Sequence, residues 1–239
     1  MKRKVYIRRV VWQGGKDPDV QTAGMDAVSG WCVQSITTLL AEVPGHDKGI
    51  PVCFGSAYGV LQNLHTFDKV SVRQGALGVS PSYFPSTVLN APACHASIRH
   101  RLTGPLYNFS NGAASGLDAL GYAYLQVSSG LAEEAIACAA EAATPETRLM
   151  SPSLELSSGG AVLLCSRPAA MELLEYRFGC LNTPGQGEAS PYGCVAPFRE
   201  LLDFLNAPGD NRENERVFTA AAGLRYSSVK VQYRNVKDG

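Results

Sequence analysis

Short apolar runs alternate with amphipathic stretches over the first 170 residues, and glycines and prolines punctuate the changes. Lys4–Trp12 predicts a first strand ending at Gln13-Gly-Gly15, and Trp31–Glu42 places Trp31, Val33, Ile36, Leu39 and Leu40 on a helical repeat that Pro44-Gly45 stops. Ile50–Ser56 predicts a second short strand, and Gly55-Ser-Ala-Tyr-Gly59 opens another helix with Val60, Leu61 and Leu64. Ala91–Leu102 reads as a helix, Gly104-Pro105 as a turn and Leu106–Ser110 as a strand. A tight turn of small residues, Asn111–Gly116, then leads into a buried helix carrying Leu117, Leu120, Leu125 and Val127, which Gly130 ends. Glu134–Ala140 and Ser157–Ser166 are further apolar strands. Strands alternating with helices predict an α/β fold around a central, largely buried sheet.

The texture changes near Ala170. Met171–Arg177 reads as a strand, Cys180–Ser190 as a loop, and Val195–Leu205 as an amphipathic helix through Val195, Phe198, Leu201, Leu202 and Leu205. Ala207–Glu215 is polar and turn-rich. Val217–Ala221 and Ser227–Tyr233 are the last strands, most simply paired as a hairpin.

Composition narrows the function classes. The 239 residues can bury a sizeable core as one domain or two tightly fused halves. Lys+Arg and Asp+Glu both number 21, so no net basic charge supports nucleic-acid binding. The one basic cluster, Lys2-Arg3-Lys4 with Arg8 and Arg9, brackets an apolar strand. A neutral, apolar-rich chain of this kind tends to associate, which favours a partner subunit. Seven scattered cysteines without C-x-x-C spacing read as reduced core thiols of a cytosolic protein. Arg8 and Arg9 interrupt Val5–Trp12 as a secretory signal, and no apolar run reaches membrane-spanning length, so the expected location is cytoplasmic.

Candidate chemistry centres on Pro105–Gly121. A strand, a tight turn and a helix N-terminus form an elbow of the kind that lifts a nucleophile and points helix N–H groups at a developing oxyanion. Here the turn carries Ala113 where a nucleophile would stand. Ser115 is the nearest hydroxyl, but the turn is not G-x-S-x-G and no His follows, so Ser115 is expected to bond backbone at the helix start. Gly55 and Gly59 read as packing glycines, since their turn lacks both the lysine of a P-loop and G-x-G-x-x-G spacing. His95 and His100 are badly spaced for one metal, and His46 and His65 show no zinc pattern; no metal and no cofactor are expected.

Three stretches in order carry a family resemblance. Ser80-Pro-Ser-Tyr-Phe-Pro-Ser-Thr-Val-Leu-Asn90 resembles the segment of β-ketoacyl synthases that runs along the dimer interface beside the acyl tunnel. Leu102-Thr-Gly-Pro105 resembles the turn before that family's nucleophile strand, and Asn111-Gly-Ala-Ala-Ser-Gly-Leu-Asp-Ala119 its Thr-Ala-Cys-Ser-Ser-Gly-Leu-Asp-Ala elbow. Leu131–Ala142 and Gly159–Cys165 look like the strands that complete the first half. The resemblance implies a thiolase-like layered α/β fold, with a complete N-terminal half over residues 1–170 and a strongly shortened second half over 171–239. It puts Ala113 at the position of the acyl-accepting cysteine, and Ser190 of Ser190-Pro-Tyr-Gly-Cys-Val-Ala196 at one catalytic histidine; the other histidine motif has no counterpart, and no His occurs after His100.

A lost nucleophile with lost histidines resembles a chain length factor, the inactive partner of a catalytic ketosynthase. The short second half resembles the small ketosynthase-like subunits of bacterial aryl polyene pathways. The implied partners are a catalytic β-ketoacyl synthase, as a heterodimer or larger assembly, and through it an acyl carrier protein. Leu106, Tyr107, Asn108, Phe109 and Ser110, with Pro81 and Ser86, would lie at the interface, and Tyr83 with Phe84 at the partner's tunnel, where plain packing is the competing reading. The rival functions are a decarboxylase or acyl hydrolase using the elbow N–H groups, and a purely structural scaffold.

Overall fold

The computed structural model describes residues 2–15, 17–19, 25–185, 190, 192–207 and 215–233. In chain order they form β1 (Val5–Gly15), α1 (Ala27–Ala41), β2 (Val52–Gly55), α2 (Leu61–Gln74), α3 (Ala91–His100), β3 (Leu106–Phe109) and α4 (Ser115–Ser128). There follow β4 (Glu134–Glu141), α5 (Pro145–Met150), β5 (Ser157–Cys165), β6 (Met171–Gly185), α6 (Ala196–Asn206) and β7 (Glu215–Tyr233). The seven strands make one mixed sheet in the order β3-β2-β4-β5-β1-β6-β7. The β3-β2-β4 side is parallel and every other pair antiparallel.

Strand alternation explains the layering. On one face Ile136, Cys138 and Ala140 of β4 and Leu163 of β5 meet Trp31, Ile36 and Leu39 of α1 and Ala93 and Ala96 of α3. On the other face Ala135, Ala137 and Ala139 meet Leu117, Leu120 and Val127 of α4 and Phe198 and Leu201 of α6. The alanines of β4 keep that strand thin, so helices lie close on both sides. The outcome is the expected layered α/β fold. Both the 1–170 and the 171–239 segments contribute strands to its single sheet.

The tail agrees with expectation in part. β7 pairs with β6 from Met171↔Tyr233 through Cys180↔Arg225 and on to Gly185↔Gly223. It also doubles back on itself as the expected Val217–Tyr233 hairpin: Glu215 meets Lys230 Nζ at 2.5 Å, where an extended strand would hold the two about 50 Å apart. The loop expected over Cys180–Ser190 is therefore strand as far as Gly185; residues 186–189 and 191 lie outside the described residues, as do 208–214 of the polar stretch. A facing strand overrides the local turn signals of Gly179 and Gly185, because each strand satisfies the other's backbone groups. Near its start β6 pairs with β1 at Val5–Ile7, and farther on the β6–β7 arm lies over α4, where Phe218, Val229 and Val231 join the core.

Helix α5 was not expected. It begins with a capping box in which Thr144 Oγ1 accepts from Thr147 N–H while Thr147 Oγ1 accepts from Thr144 N–H. The basic cluster faces carboxylates: Arg3 meets Glu133, Lys4 meets Glu172, Arg8 meets Glu134 and Arg9 meets Glu42. Among the described residues no helix is long and apolar enough to cross a membrane.

Candidate functional site

Strand β3 ends at Phe109, and the chain turns through a single short 3-10 turn, Gly112–Ala114, into α4. Gly112 sits at φ +57°, in the left-handed region that glycine tolerates at no steric cost. Ser115 locks the turn, its Oγ accepting from Asn111 N–H at 2.8 Å and donating to the Gly112 carbonyl at 2.7 Å. This is the backbone bonding expected of Ser115. Ala113, half-buried, presents a methyl group in the middle of the turn. Strand β7 passes beside it: a Cβ on Gly112 would lie 3.0 Å from the Ala222 Cβ.

Two glycines set how tightly the elbow is clamped. A Cβ on Gly55, at the end of β2, would lie 2.2 Å from the Ser115 carbonyl oxygen, and one on Gly116 would lie 2.1 Å from the Cys194 carbonyl oxygen. Gly55 is thus the packing glycine expected, and the Gly193–Val195 turn carries the chain against the first turn of α4. That turn belongs to the Ser190–Ala196 stretch, so the structure brings this stretch and the elbow together. Ser190 Oγ itself accepts from Tyr192 N–H at 3.2 Å.

A buried carboxylate ties the arm to the elbow. Asp118 Oδ2 accepts from Asn111 Nδ2 at 2.7 Å, and Oδ1 accepts from Tyr176 O–H at 3.1 Å and from Ser227 O–H. The four residues belong to the turn, α4, β6 and β7. Burial first, and then the Asp118 charge, push the Tyr176 phenol up, so it remains a donor.

A second carboxylate, Glu141 at the end of β4, is fully buried. Its Oε1 accepts from Ala57 N–H and from the Cys194 thiol at 3.1 Å, while Oε2 has no hydrogen-bond partner among the described residues. Ser158, its register partner on β5, has an unpartnered Oγ as well. Burial, outweighing those hydrogen bonds, pushes the Glu141 carboxyl up to about 7. Because this folded-state value lies above the unfolded one, the proton-linked stability is full below about pH 4.5 and is lost as the pH rises to and through 7. The loss is on the order of 3 kcal/mol. Urea unfolding at pH 5 and pH 8 is expected to show that fall in the parent protein and a nearly flat profile in Glu141→Gln. Equal slopes in the two proteins would overturn the assignment.

Neither thiol nor imidazole substitutes for a nucleophile at the elbow. Cys194 is fully buried and its thiol is pushed well up, by burial and then by the Glu141 charge. His46 contacts the Val43 carbonyl and Lys48, His65 bonds Glu146 Oε1 at 2.9 Å, and His100 Nε2 lies 2.8 Å from Thr37 Oγ1. His95 is only half-buried, on α3, with Asp26 at the start of α1 as its charged neighbour. Among the described residues no group of three or more His, Cys, Asp or Glu could hold a metal ion.

The remaining expected positions divide. Strand β3 lies at the sheet edge, with Asn108 and Ser110 exposed and Leu106, Tyr107 and Phe109 half-buried. Pro81–Ser86 is a 3-10 turn with Pro81 exposed and Ser86 buried, the Ser86 carbonyl accepting from Asn63 Nδ2 at 3.0 Å. Tyr83 donates to Asn63 Oδ1 at 2.6 Å, within its own chain, whereas Phe84 is 56% exposed and leans on Phe67. Sequence reading gave no role to Glu141 or Asp118. The available signal was a carboxylate ending an all-apolar strand, or set in the apolar face of a helix.

Residues 19–166, well over half the chain, match the β-ketoacyl synthase N-terminal domain. The chain belongs to the β-ketoacyl synthase family. Over 97 residues it is 35% identical to the 3-oxoacyl-[acyl-carrier-protein] synthase 2 of Vibrio cholerae, a match covering 40% of this chain and 23% of that enzyme. It thus spans about a quarter of the curated relatives it matches. Among solved structures, the ishigamide ketosynthase/chain length factor superposes with a TM-score of 0.77 at 19% identity, covering 90% of this chain and 82% of that one. A ketosynthase in complex with its chain length factor from Xenorhabdus doucetiae gives 0.67 at 12% identity, covering 97% of this chain and 100% of that one. At such identities the likeness is one of fold. The ketosynthase fold is therefore present in this chain, with alanine in the elbow turn.

Proposed function

We propose that this protein is a non-catalytic ketosynthase-like subunit, a chain length factor, that pairs with an active β-ketoacyl synthase and shapes the end of that partner's acyl tunnel. One observation carries the reading. The elbow is complete in its backbone, with β3, the Gly112 turn and α4 in place, yet Ala113 offers no atom that could accept an acyl group. Ser115 is spent on the turn itself and Cys194 is sealed. A decarboxylase or hydrolase would need an acid or base within reach of substrate. Glu141, whose carboxyl burial pushes up to about 7, is enclosed by Ala57, Gly193 and Cys194.

The pairing rests on the open edge of β3. An edge strand of Leu-Tyr-Asn-Phe, with no lysine or proline to protect it, is suited to be joined by another chain. The Pro81–Asn90 segment would lie beside it. There Phe84 is the ring free to reach the partner's tunnel, with Tyr83 behind it as the anchored support. The growing acyl chain would sit on the partner's cysteine and on an acyl carrier protein, and the extended resemblance suggests a polyene product of the aryl polyene type.

Co-expression with the ketosynthase encoded nearest to it, followed by size exclusion with mass determination, tests the reading. A one-to-one complex is expected. A monomer or homodimer that ignores the ketosynthase would overturn it, and turnover of malonyl-carrier protein by the chain alone would establish the enzymatic alternative.

A further inference from the structure

Beside β3 an aromatic cleft of about 470 Å3 opens between the elbow helix and the β6–β7 arm. One wall is Phe109 of β3 against Tyr122 of α4, ring centroids 5.5 Å apart, continued by Leu125. The other is Tyr176 stacked on Phe178 at 5.6 Å, both on β6. Phe178 is 71% exposed, a large apolar side chain left in water on a strand otherwise well covered near its start. The floor is Asp118 with Asn111 and Ser227, and exposed Arg225 and Cys180 stand at the rim.

The polar floor speaks against a small ligand. A small-molecule site keeps a few polar groups aimed at its occupant. Here Asp118 already accepts from three donors, which are the arm and the turn themselves. What the cleft offers is shape and aromatic surface, the composition of a protein interface core.

Area points the same way. A stable interface takes roughly 20–30 residues a side. Strand β3 supplies four residues and Pro81–Asn90 ten, well short of that range. The missing surface must adjoin β3, and Phe109 belongs both to that strand and to the cleft wall.

We infer that the ketosynthase interface extends from β3 across this cleft, which receives an apolar segment of the ketosynthase between the Phe109–Tyr122 and Tyr176–Phe178 walls. This rests on the proposed pairing and adds the arm to it. Arg225 at the rim fits a carboxylate beside that segment.

Cys180 is a built-in reporter. It is exposed, whereas Cys32, Cys53, Cys138, Cys165 and Cys194 are buried and Cys94 is partly so. Maleimide labelling of the purified complex, mapped by peptide mass and compared with the same sample in urea, is expected to show Cys180 slowed at least about tenfold beyond what Cys180 in the free chain shows. Phe178→Glu, at an exposed position, is expected to weaken co-purification by about tenfold or more, as loss of an aromatic anchor does. Leu149→Glu, 85% exposed on α5, should leave it unchanged. A complex that forms while Cys180 labels at its free-chain rate and Phe178→Glu assembles normally would overturn the inference and leave the pairing standing. Absence of any complex would overturn the pairing itself. Protection of Cys180 in the free chain by added decanoate, without protection in the complex, would make the cleft a lipid site and overturn the inference too.

Discussion

Asn108→Pro is expected to weaken assembly with the ketosynthase roughly 100-fold while leaving the chain folded. The hydrogen-bond phase of β3 singles out this residue. Val52 N–H donates to the Pro105 carbonyl at 2.9 Å and Ser56 N–H to the Phe109 carbonyl at 3.1 Å, in a parallel register that sets Phe54 against Asn108. With a period of two, the odd-numbered residues face β2, so Leu106 and Asn108 turn their N–H and C=O groups outward. Proline at 108 therefore leaves the β2 ladder whole and removes the central outward donor, its ring standing where a joining strand would lie. A loss of about 3 kcal/mol corresponds to roughly 100-fold weaker pairing. Asn108→Ala keeps the donor and should bind within about twofold of the parent, since the exposed side chain carries little of the energy. Titration by calorimetry, with circular dichroism to establish folding, reads both. A folded proline variant that pairs as tightly as the parent would mean that β3 is not joined by the partner.

The parts of this fold that could be read in advance are those in which local pattern and final environment agree. Strands β2, β4 and β5 are continuous apolar runs because both faces of the sheet are covered, and α1 and α4 carry their apolar spacing for the same reason. Strand β6 runs farther than its local pattern predicts because its stability is not local. Gly179, Pro184 and Gly185 announce turns, yet each lies in β6, whose partner residues on β7 are some 40 to 60 residues away in sequence. Helix α5 escaped notice since Leu149 and Met150 are exposed and leave no apolar period, although Thr144 and Thr147 spell a cap. At the elbow the turn and its alanine were legible residue by residue. The clamps were not: Asp118 and Glu141 act through the arm and the 193–195 turn, contacts that no spacing rule encodes. Cys180 departs from the core-thiol pattern and is exposed because β6 continues past the part of the sheet that pairs with β1.

Gly116→Ala should cost at least about 3 kcal/mol, although intrinsic helix propensity alone would make alanine better by about 1 kcal/mol. The sign is decided by what the new methyl meets. Its carbon would stand 2.1 Å from the Cys194 carbonyl oxygen and 3.2 Å from the Phe198 ring, so one of the two elements must move. The Cys194 turn has little room to retreat. Its thiol is held by Glu141 at 3.1 Å, Gly193 is fixed at φ +55°, and Tyr192 packs edge-on against Trp12 at 5.4 Å. Moving α4 instead would pull Asp118 from Tyr176 and Ser227 and lift the arm from the core. Either route disrupts the same junction, where the elbow, the 193–195 turn and the arm converge, and overpacking against backbone is among the few mechanisms that produce losses of this size. Urea unfolding is expected to show a midpoint far below the parent's, with Cys194 becoming reactive to maleimide at denaturant concentrations where the parent's is silent. An unchanged or raised midpoint would show that the turn yields freely, and that the elbow is held by its own hydrogen bonds and not by the clamp around it.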